Sequence, residues 1–299
     1  MPVILTIGTY DGVHLGHRRI IKALLREGAR AGLRGAVAYF PFPPRLFFSG
    51  EKENCLITLP REREKLLREL GVRRIRALPF GAALAKMSAE DFFDSVILKA
   101  EKARGLCVGA DFALGRGRAG GPEFLRRRCA GTGLFFKALP FLRSGGHKIS
   151  SSLIRSMLSG GRVREANKLL GWNYSVSGKV VKGAGIGRAL GFPTANVDAH
   201  RAKILPPGIF AARVRLGRET FGAVVNVGRR PTVRSLGGRL LLEAHLLDFD
   251  RMIYGRTLTV EFLRRLRSEK RFNSRDALRA RILKDISAAR RLLPKQGGA

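Results

Sequence analysis

Acidic residues are scarce in this chain of 299 residues: Asp and Glu number 23 against 57 Lys and Arg, a formal net charge of +34. Cysteine is scarcer still. Cys55, Cys107 and Cys129 are the only three, and none forms a C-x-x-C pair. Thiols this few and scattered exclude a disulfide framework and a zinc ribbon, and fit reduced, buried side chains in a cytoplasmic protein. No apolar run approaches the length of a membrane span. The opening Met-Pro-Val-Ile-Leu-Thr-Ile-Gly8 has no basic leader, and its apolar run is too short for a signal peptide, so it reads as a first strand. Internal repeats and low-complexity segments are also missing. The longest run of like charge is Arg126, Arg127 and Arg128, which reads as a solvated helix face rather than a nucleic-acid tail.

An apolar fraction of 45% excludes disorder despite the charge. The length predicts two domains, each able to bury its own core. Divided at Gly171, the two parts each carry +17. An excess this even, 42 Arg and 15 Lys spread over the chain, predicts solubility and affinity for anions rather than one nucleic-acid patch.

Up to about residue 170, strand-like and helix-like segments alternate, which predicts an α/β domain with a mainly parallel, Rossmann-like sheet. Strands are expected at Val3 to Ile7, Gly35 to Phe40, Ile75 to Leu78, Leu106 to Gly109 and Leu134 to Ala138. Helices are expected from the loop after Gly12 to Ala31, and over Glu62 to Leu70, Ser88 to Arg104 and Glu123 to Cys129, with Ser88 and Asp91 as a start signal. Pro41-Phe-Pro-Pro44 is expected to be non-helical. Beyond Gly171 the period changes. Tyr174 to Lys182, Gly208 to Leu216, Thr220 to Val227, Leu240 to Leu247 and Thr257 to Phe262 alternate at short spacing, predicting a small antiparallel β-barrel. A closing helix is expected from an N-cap at Ser274 to about Leu293. The expected domains are 1–171 and 172–299. Trp172 at the junction reads as a packing residue.

The first candidate site is Gly8-Thr-Tyr-Asp-Gly-Val-His-Leu-Gly-His17, between a strand and a helix. His14 and His17 are three apart, so at a helix start their imidazoles share a face, and Gly16 lets a ligand approach the backbone. With the free N–H groups of the helix start they form an anion site suited to a polyphosphate. It is not a Walker A loop, since G-x-x-x-x-G-K-S/T is absent. Two solvated histidines after a turn is the plainer reading of an isolated H-x-x-H, and a metal site has no third ligand nearby.

In this setting the segment resembles the signature of the FAD synthetase module, a member of the H-x-G-H nucleotidyltransferases, and further matches follow in chain order. Val108-Gly-Ala-Asp-Phe-Ala-Leu-Gly115 with Gly117-Arg-Ala-Gly120, and Ile149-Ser-Ser-Ser-Leu-Ile-Arg155, resemble that module's G-x-D-F-x-F-G-x-x-R-x-G and I-S-S-T-x-I-R motifs. Gly187-Arg-Ala-Leu-Gly-Phe-Pro-Thr-Ala-Asn196, Asn226-Val-Gly-Arg-Arg-Pro-Thr232, Glu243-Ala-His245, Tyr254-Gly255 and Leu266-Arg-Ser-Glu269 with Phe272 are similar to riboflavin kinase motifs. The ordered set spans the chain and identifies a resemblance to the bifunctional riboflavin kinase/FAD synthetase family.

That resemblance implies two reactions: riboflavin and ATP give FMN and ADP, and FMN and ATP give FAD and pyrophosphate. It implies Mg²⁺ or another hard divalent cation, small-molecule partners (riboflavin, FMN, ATP), no specific nucleic acid or membrane, and a monomer or weak homo-oligomer. By motif, His14, His17 and Arg155 would act on the phosphates in catalysis, with Gly8, Thr9, Tyr10, Asp11, Gly16, Asp111, Ser150, Ser151 and Ser152 contacting ATP or substrate. Glu243 would be the base of the kinase step. Thr194 and Asn196 would hold the metal, and Gly187, Arg188, Pro193 and Arg267 would complete that site. Taken singly, several of these residues fit plainer roles: Ser150 to Ser152 as a helix cap, Asp111 in a turn, Thr194 starting a strand, Glu243 facing solvent on an edge strand, Arg267 among the surface charges Arg264 and Arg265. A nucleic-acid-binding protein with vestigial motifs, or a nucleotidyltransferase acting on another phosphorylated substrate, are the alternative readings. The chain departs from the pattern at Tyr10 (Phe), Leu114 (Phe), Ser152 (Thr) and Phe40-Pro-Phe-Pro-Pro44, where the family has F-E-P-H-P.

Overall fold

The computed structural model describes residues 2–229 and 240–293. It forms two compact units, residues 1–52 with 56–151, and residues 53–55 with 152–299.

In the first unit, β1 (Val3–Gly8), β2 (Arg34–Tyr39), β3 (Arg74–Ala77), β4 (Ala103–Gly109) and β5 (Phe135–Leu139) form a five-stranded sheet in the order β3-β2-β1-β4-β5. Every pairing in it is parallel. Helices α1 (Leu15–Arg30), α2 (Pro44–Ser49), α3 (Pro60–Glu69), α4 (Ala82–Lys86), α5 (Ala89–Phe92) and α6 (Pro122–Gly131) connect the strands, and a short hairpin, β6 (Arg143–Ser144) and β7 (His147–Lys148), follows β5. Strand residues point alternately to two faces, and each face has its own core. Val3, Leu5 and Ile7 meet Phe92, Phe93, Ile97 and Leu125 on one side. Ile4, Val37 and Tyr39 meet Ile21 and Leu24 of α1 and Leu67 of α3 on the other. Helices on both faces explain why β1 is apolar throughout.

The strand order reverses direction between β1 and β4. In open parallel sheets, ligands bind beyond the carboxyl ends of the strands at such a switch point. The loop after β1 carries Thr9 to His14, and that after β4 carries Asp111.

Two expectations need correction here. The helix expected over Ser88 to Arg104 stops early: α5 continues as a π-helix over Phe93–Ala100, and β4 begins at Ala103. The reversal lies at Lys102, whose φ is +52°. Pro44, expected outside any helix, is the first residue of α2, where the missing N–H removes no helical hydrogen bond. The Ser88 start signal is as expected, with Ser88 Oγ accepting from Asp91 N.

In the second unit, α7 (Ser151–Ser159) and α8 (Val163–Leu170) precede a closed antiparallel barrel in the order β10-β11-β12-β9-β8-β13. Its strands are β8 (Ser175–Val181), β9 (Ala195–Ala199), β10 (Gly208–Leu216), β11 (Glu219–Arg229), β12 (Leu240–Leu246) and β13 (Thr257–Arg267), with α9 (Ile186–Ala189) between β8 and β9. The sequence reading omits β9 and ends β13 five residues early. Inside the barrel lie Val225, Val227, Leu242, Ala244, Ala195 and Val197, all buried. Their strand neighbours Asn226, Glu243 and Asn196 therefore face outward. The closing helix α10 (Arg275–Leu292) starts as expected, with Ser274 Oγ accepting from Ala277 N at 3.1 Å.

All three cysteines are buried thiols outside any disulfide. Burial pushes Cys107 up to about 12 and Cys129 to about 11, so both are neutral thiols near pH 7.

Candidate functional site

At the switch point of the first unit, His14 caps α1: its Nδ1 accepts from His17 N at 3.3 Å. A neutral imidazole that accepts at Nδ1 carries its proton on Nε2, so His14 presents a donor on its other side. The two imidazoles are stacked, 3.6 Å apart and 17° from parallel, and the Tyr10 ring meets His17 edge-on at 5.0 Å. Gly16 serves this stack directly. A Cβ there would stand 3.1 Å from His14 Cε1 and 3.2 Å from Nδ1. Tyr10 and Val13 hold φ of +51° and +37°. Left-handed backbone is costly for a β-branched residue, and it marks a loop shaped by its surroundings.

Those surroundings centre on Asp11 and Arg63, an ion pair with both side chains fully buried, Nη2 to Oδ1 3.3 Å. Asp11 also accepts from Ile57 N at 3.1 Å, Thr58 N at 2.8 Å and Thr58 Oγ1 at 2.9 Å. The Arg63 guanidinium donates to the carbonyls of Thr9, Phe40, Pro41 and Thr58. Asp11 is thus a framework residue, correcting its expected place among the substrate contacts: its carboxylate faces the protein. Tyr10 is likewise buried, its hydroxyl bonded to Thr6 Oγ1. Arg63 does not stand out in the charged run Arg61 to Lys65, yet the sequence carries one signal for it. It precedes buried Leu67 by four residues, which places both on one helix face.

Asp11→Ala leaves the Arg63 charge buried without its carboxylate. The expected loss is about 3–5 kcal/mol, roughly 6–20 °C in the unfolding temperature of the first unit, read by calorimetry.

The structure places the other residues expected at this site as follows. Within the first unit Ser151 Oγ donates to Asp11 O at 2.9 Å, and Ser150 directly precedes Ser151. Ser152 is exposed. Arg155 Nε donates to Cys55 O at 2.9 Å. Gly8 ends β1, and Thr9 offers its carbonyl to Arg63. Asp111 is exposed and paired with Lys148, and its carbonyl accepts from Arg118 Nη2 at 2.6 Å. Lys148 also lies 3.7 Å from the Phe141 ring centre. Arg118 is the arginine of the Gly117-Arg-Ala-Gly120 match, whereas Lys148 carries no signal in the sequence because its partner Asp111 is distant in the chain.

The second site is a cavity of about 660 Å³ on the outer face of the barrel. Gly187, Thr194, Asn196, Glu243, His245 and Arg267 all line it. Strand register assembles the row: Glu243 pairs with Asn196 of β9 on one side and Asn226 of β11 on the other. β12 is therefore an inner strand of a closed barrel, and Glu243 opens onto a cavity rather than an edge. Arg188 and Pro193 line an adjoining cavity of about 380 Å³, which shares Thr194 with the larger one. His245 Nδ1 is bonded to Pro193 O at 2.9 Å, holding the turn before Thr194. Of the motif Asn226 to Thr232, residues 230–232 lie outside the described residues.

Arg267 is no loose surface charge. Asp285 of α10 accepts from its Nε at 2.9 Å and its Nη2 at 2.8 Å, and its Nη1 donates to Ser268 O at 3.0 Å. Asp285 also receives Arg281 Nε at 3.2 Å. Three of the five guanidinium protons are used, leaving one on each terminal nitrogen for a bidentate anion.

A hard cation fits Thr194 and Asn196 by donor type, since both offer oxygen. Two glycines close the backbone against them. A Cβ on Gly183 would lie 2.1 Å from Asn196 Nδ2, and one on Gly187 would lie 3.1 Å from Thr194 Oγ1. Among the described residues there is no group of three or more His, Cys, Asp and Glu that could hold a metal ion.

Comparison with known proteins follows the same division. Residues 1–153 match the FAD synthetase family model, and residues 170–293 match that of riboflavin kinase. The bifunctional riboflavin kinase/FMN adenylyltransferase of Escherichia coli (strain K12) is 37% identical over 96% of this chain and 91% of its own. That of Bacillus subtilis (strain 168) is 32% identical over 96% and 91%. A solved structure described as a macrolide-efflux protein from Streptococcus pneumoniae superposes with a TM-score of 0.88 at 29% identity, covering 97% of this chain and 94% of that one. The likeness there is one of fold. Among the described residues of this chain, no helix is long and apolar enough to cross a membrane. With both family models matched in order and relatives aligned nearly end to end, the chain belongs to the bifunctional riboflavin kinase/FMN adenylyltransferase family.

Proposed function

We propose that the barrel domain, residues 172–299, phosphorylates riboflavin with ATP to give FMN, and that residues 1–171 transfer AMP from a second ATP to FMN, giving FAD and pyrophosphate. The observation that carries this reading is the different use of carboxylates at the two sites. Glu243 opens onto the barrel cavity beside Thr194, Asn196 and Arg267. At the other site Asp11 is held by Arg63 and Asp111 by Lys148.

The chemistry asks for this difference. In the kinase step the nucleophile is a ribityl hydroxyl, which needs a base as its oxygen attacks the γ-phosphorus. Glu243 takes that proton while the bond from the γ-phosphorus to the bridging oxygen breaks and ADP departs. Arg267, held by Asp285, meets the charge on the transferred group. In the adenylyl step an FMN phosphate oxygen, already anionic, attacks the α-phosphorus. Pyrophosphate leaves, its growing charge met by His14, His17 and the N–H groups at the start of α1. Mg²⁺ bound at Thr194 and Asn196 would supply charge neutralisation for the phosphates in the kinase step.

For FMN, an aromatic patch substitutes for the family's Glu and His near Phe40 to Pro44. Phe42, Phe47 and Phe48 are exposed, and Phe47 and Phe48 meet Phe80 at 5.6 and 6.0 Å. They follow β2 and β3 at the carboxyl end of the sheet, where a flat flavin ring can stack. We place the enzyme in the cytoplasm, as a monomer or weak homo-oligomer acting on small molecules.

Chromatography of riboflavin, FMN and FAD over time, with ATP and Mg²⁺, tests the assignment. Riboflavin should fall as FMN rises and then passes to FAD; a mixture yielding neither product would refute it.

Asp285→Ala frees the Arg267 guanidinium from its holder. FMN formation should fall about 10-fold to 100-fold in kcat/KM, the scale of a misplaced charge-stabilising donor. FAD formation from supplied FMN should be unchanged in the same preparation.

A further inference from the structure

We propose that Asn226 is the residue that reads the ribityl chain of the flavin: its carboxamide oxygen accepts a hydrogen bond from the 4′-hydroxyl, next to the one that is phosphorylated. The inference rests on the kinase reading above and deepens it.

The first observation is an unexplained polar atom. Asn226 Oδ1 is buried and has no hydrogen-bond partner among the described residues. A buried acceptor left unpaired is costly, and in a native protein it needs a reason. The second is its place. Asn226 lines the same cavity as Glu243, and the two are direct cross-strand partners in the β11–β12 ladder. Such partners hold their Cβ atoms about 5 Å apart on one face of the sheet.

The third observation concerns what surrounds it on β11. Residues of one strand face alternate by two, so Val224 and Gly228 flank Asn226 on the cavity side. Val224 is apolar and lines the cavity. Gly228 has no side chain, and a Cβ there would stand 2.0 Å from Glu269 Oε1. Of the described residues of β11 that line the cavity, Val224 and Asn226, only Asn226 has a polar side chain. No protein bond pins its oxygen, so the amide can turn about its last torsion to meet a ligand without breaking one.

The ligand chemistry follows from the pairing. Glu243 addresses the hydroxyl that becomes phosphorylated. A second acceptor beside it suits the neighbouring hydroxyl of a polyol, one carbon further along the chain. A simple primary alcohol would satisfy Glu243 and leave Asn226 unpaired, so the pair selects for a vicinal diol.

The test compares riboflavin with its 4′-deoxy analogue, which keeps the reacting 5′-hydroxyl. The wild-type chain should phosphorylate riboflavin with a kcat/KM about 10-fold to 100-fold above that of the analogue. Asn226→Ala should lower the value for riboflavin by that factor and leave the analogue's value nearly unchanged, so the preference disappears. Asn226→Asp, which retains an acceptor oxygen, should keep it. If the alanine variant folds poorly, Asn226→Leu, which keeps the volume and has no acceptor, is read by the same ratio. A preference that survives in the alanine variant, an equal loss on both substrates, or a wild type that does not discriminate overturns the role of Asn226 while leaving the kinase reading intact. Failure of the wild type to phosphorylate either compound overturns both.

Discussion

Glu243→Gln is expected to lower FMN formation about 10²-fold to 10⁴-fold, the usual range for a lost general base, while FAD formation from supplied FMN continues at the wild-type rate. The substitution is nearly isosteric. It keeps an oxygen that accepts from the ribityl hydroxyl, so riboflavin should still bind, and the loss should appear in kcat more than in KM. Glu243 is only half-buried, and neither register neighbour, Asn196 or Asn226, is charged. Neutralising it should therefore leave no stranded partner and little change in stability. A loss of the same size in both reactions would contradict separate sites, and a small loss in FMN formation alone would contradict the base.

What could be read from the chain alone was mostly local. The strand at Val3, helix α1 and the Ser274 cap follow from short patterns with one dominant physical cause each. The expected helix end at Arg104 overran because apolar spacing continues through Ala100 and Ala103, and the reversal at Lys102 uses neither Gly nor Pro. Strand β9 is not legible in the sequence because Ala195-Asn-Val-Asp-Ala199 carries two poor strand formers, and barrel closure overrides their propensity. Around the barrel cavity, Gly187, Thr194, Asn196, Glu243 and Arg267 stand together. The residues that hold them do not announce themselves. Arg63 serves Asp11 across 52 positions, and Asp285 reaches Arg267 from the closing helix. Such partners are set by the tertiary fold, which no local pattern carries.

The scarcity of acid also has a structural consequence. Several carboxylates serve more than one cation: Glu27 meets Arg26, Arg30 and Lys137; Glu101 meets Arg74 and Arg76; Glu261 meets Arg213 and Arg215. Lys137 beside Glu27 holds that carboxyl below the usual range. Most of these arginines are exposed, where ion pairs add little stability. Even with such sharing, 57 cationic side chains against 23 carboxylates leave positive charge in excess. The surplus is a field spread over both units, suited to drawing in ATP and FMN rather than to gripping one partner.

His14→Ala should stop the sequence of reactions at FMN: with riboflavin, ATP and Mg²⁺, FMN accumulates and FAD formation falls about 10²-fold to 10³-fold, the scale of one lost donor at a developing charge. His14 has two tasks, and a second variant separates them. Its Nδ1 caps α1, and losing a cap costs about 1 kcal/mol. Its Nε2–H lies on the opposite side of the ring from that bond, and it is there that the charge of the leaving pyrophosphate would be met. Asn is a strong N-cap but too short to place a donor where the imidazole does. His14→Asn should therefore recover much of the unfolding temperature lost in His14→Ala and none of the FAD formation. His17→Ala, which removes the stacked partner but not the cap, should resemble His14→Asn: near-normal unfolding, FMN produced at the wild-type rate, FAD formation strongly reduced. Recovery of FAD formation in His14→Asn would mean that the histidine matters only as a cap, and the assignment of the imidazoles to the leaving group would fail.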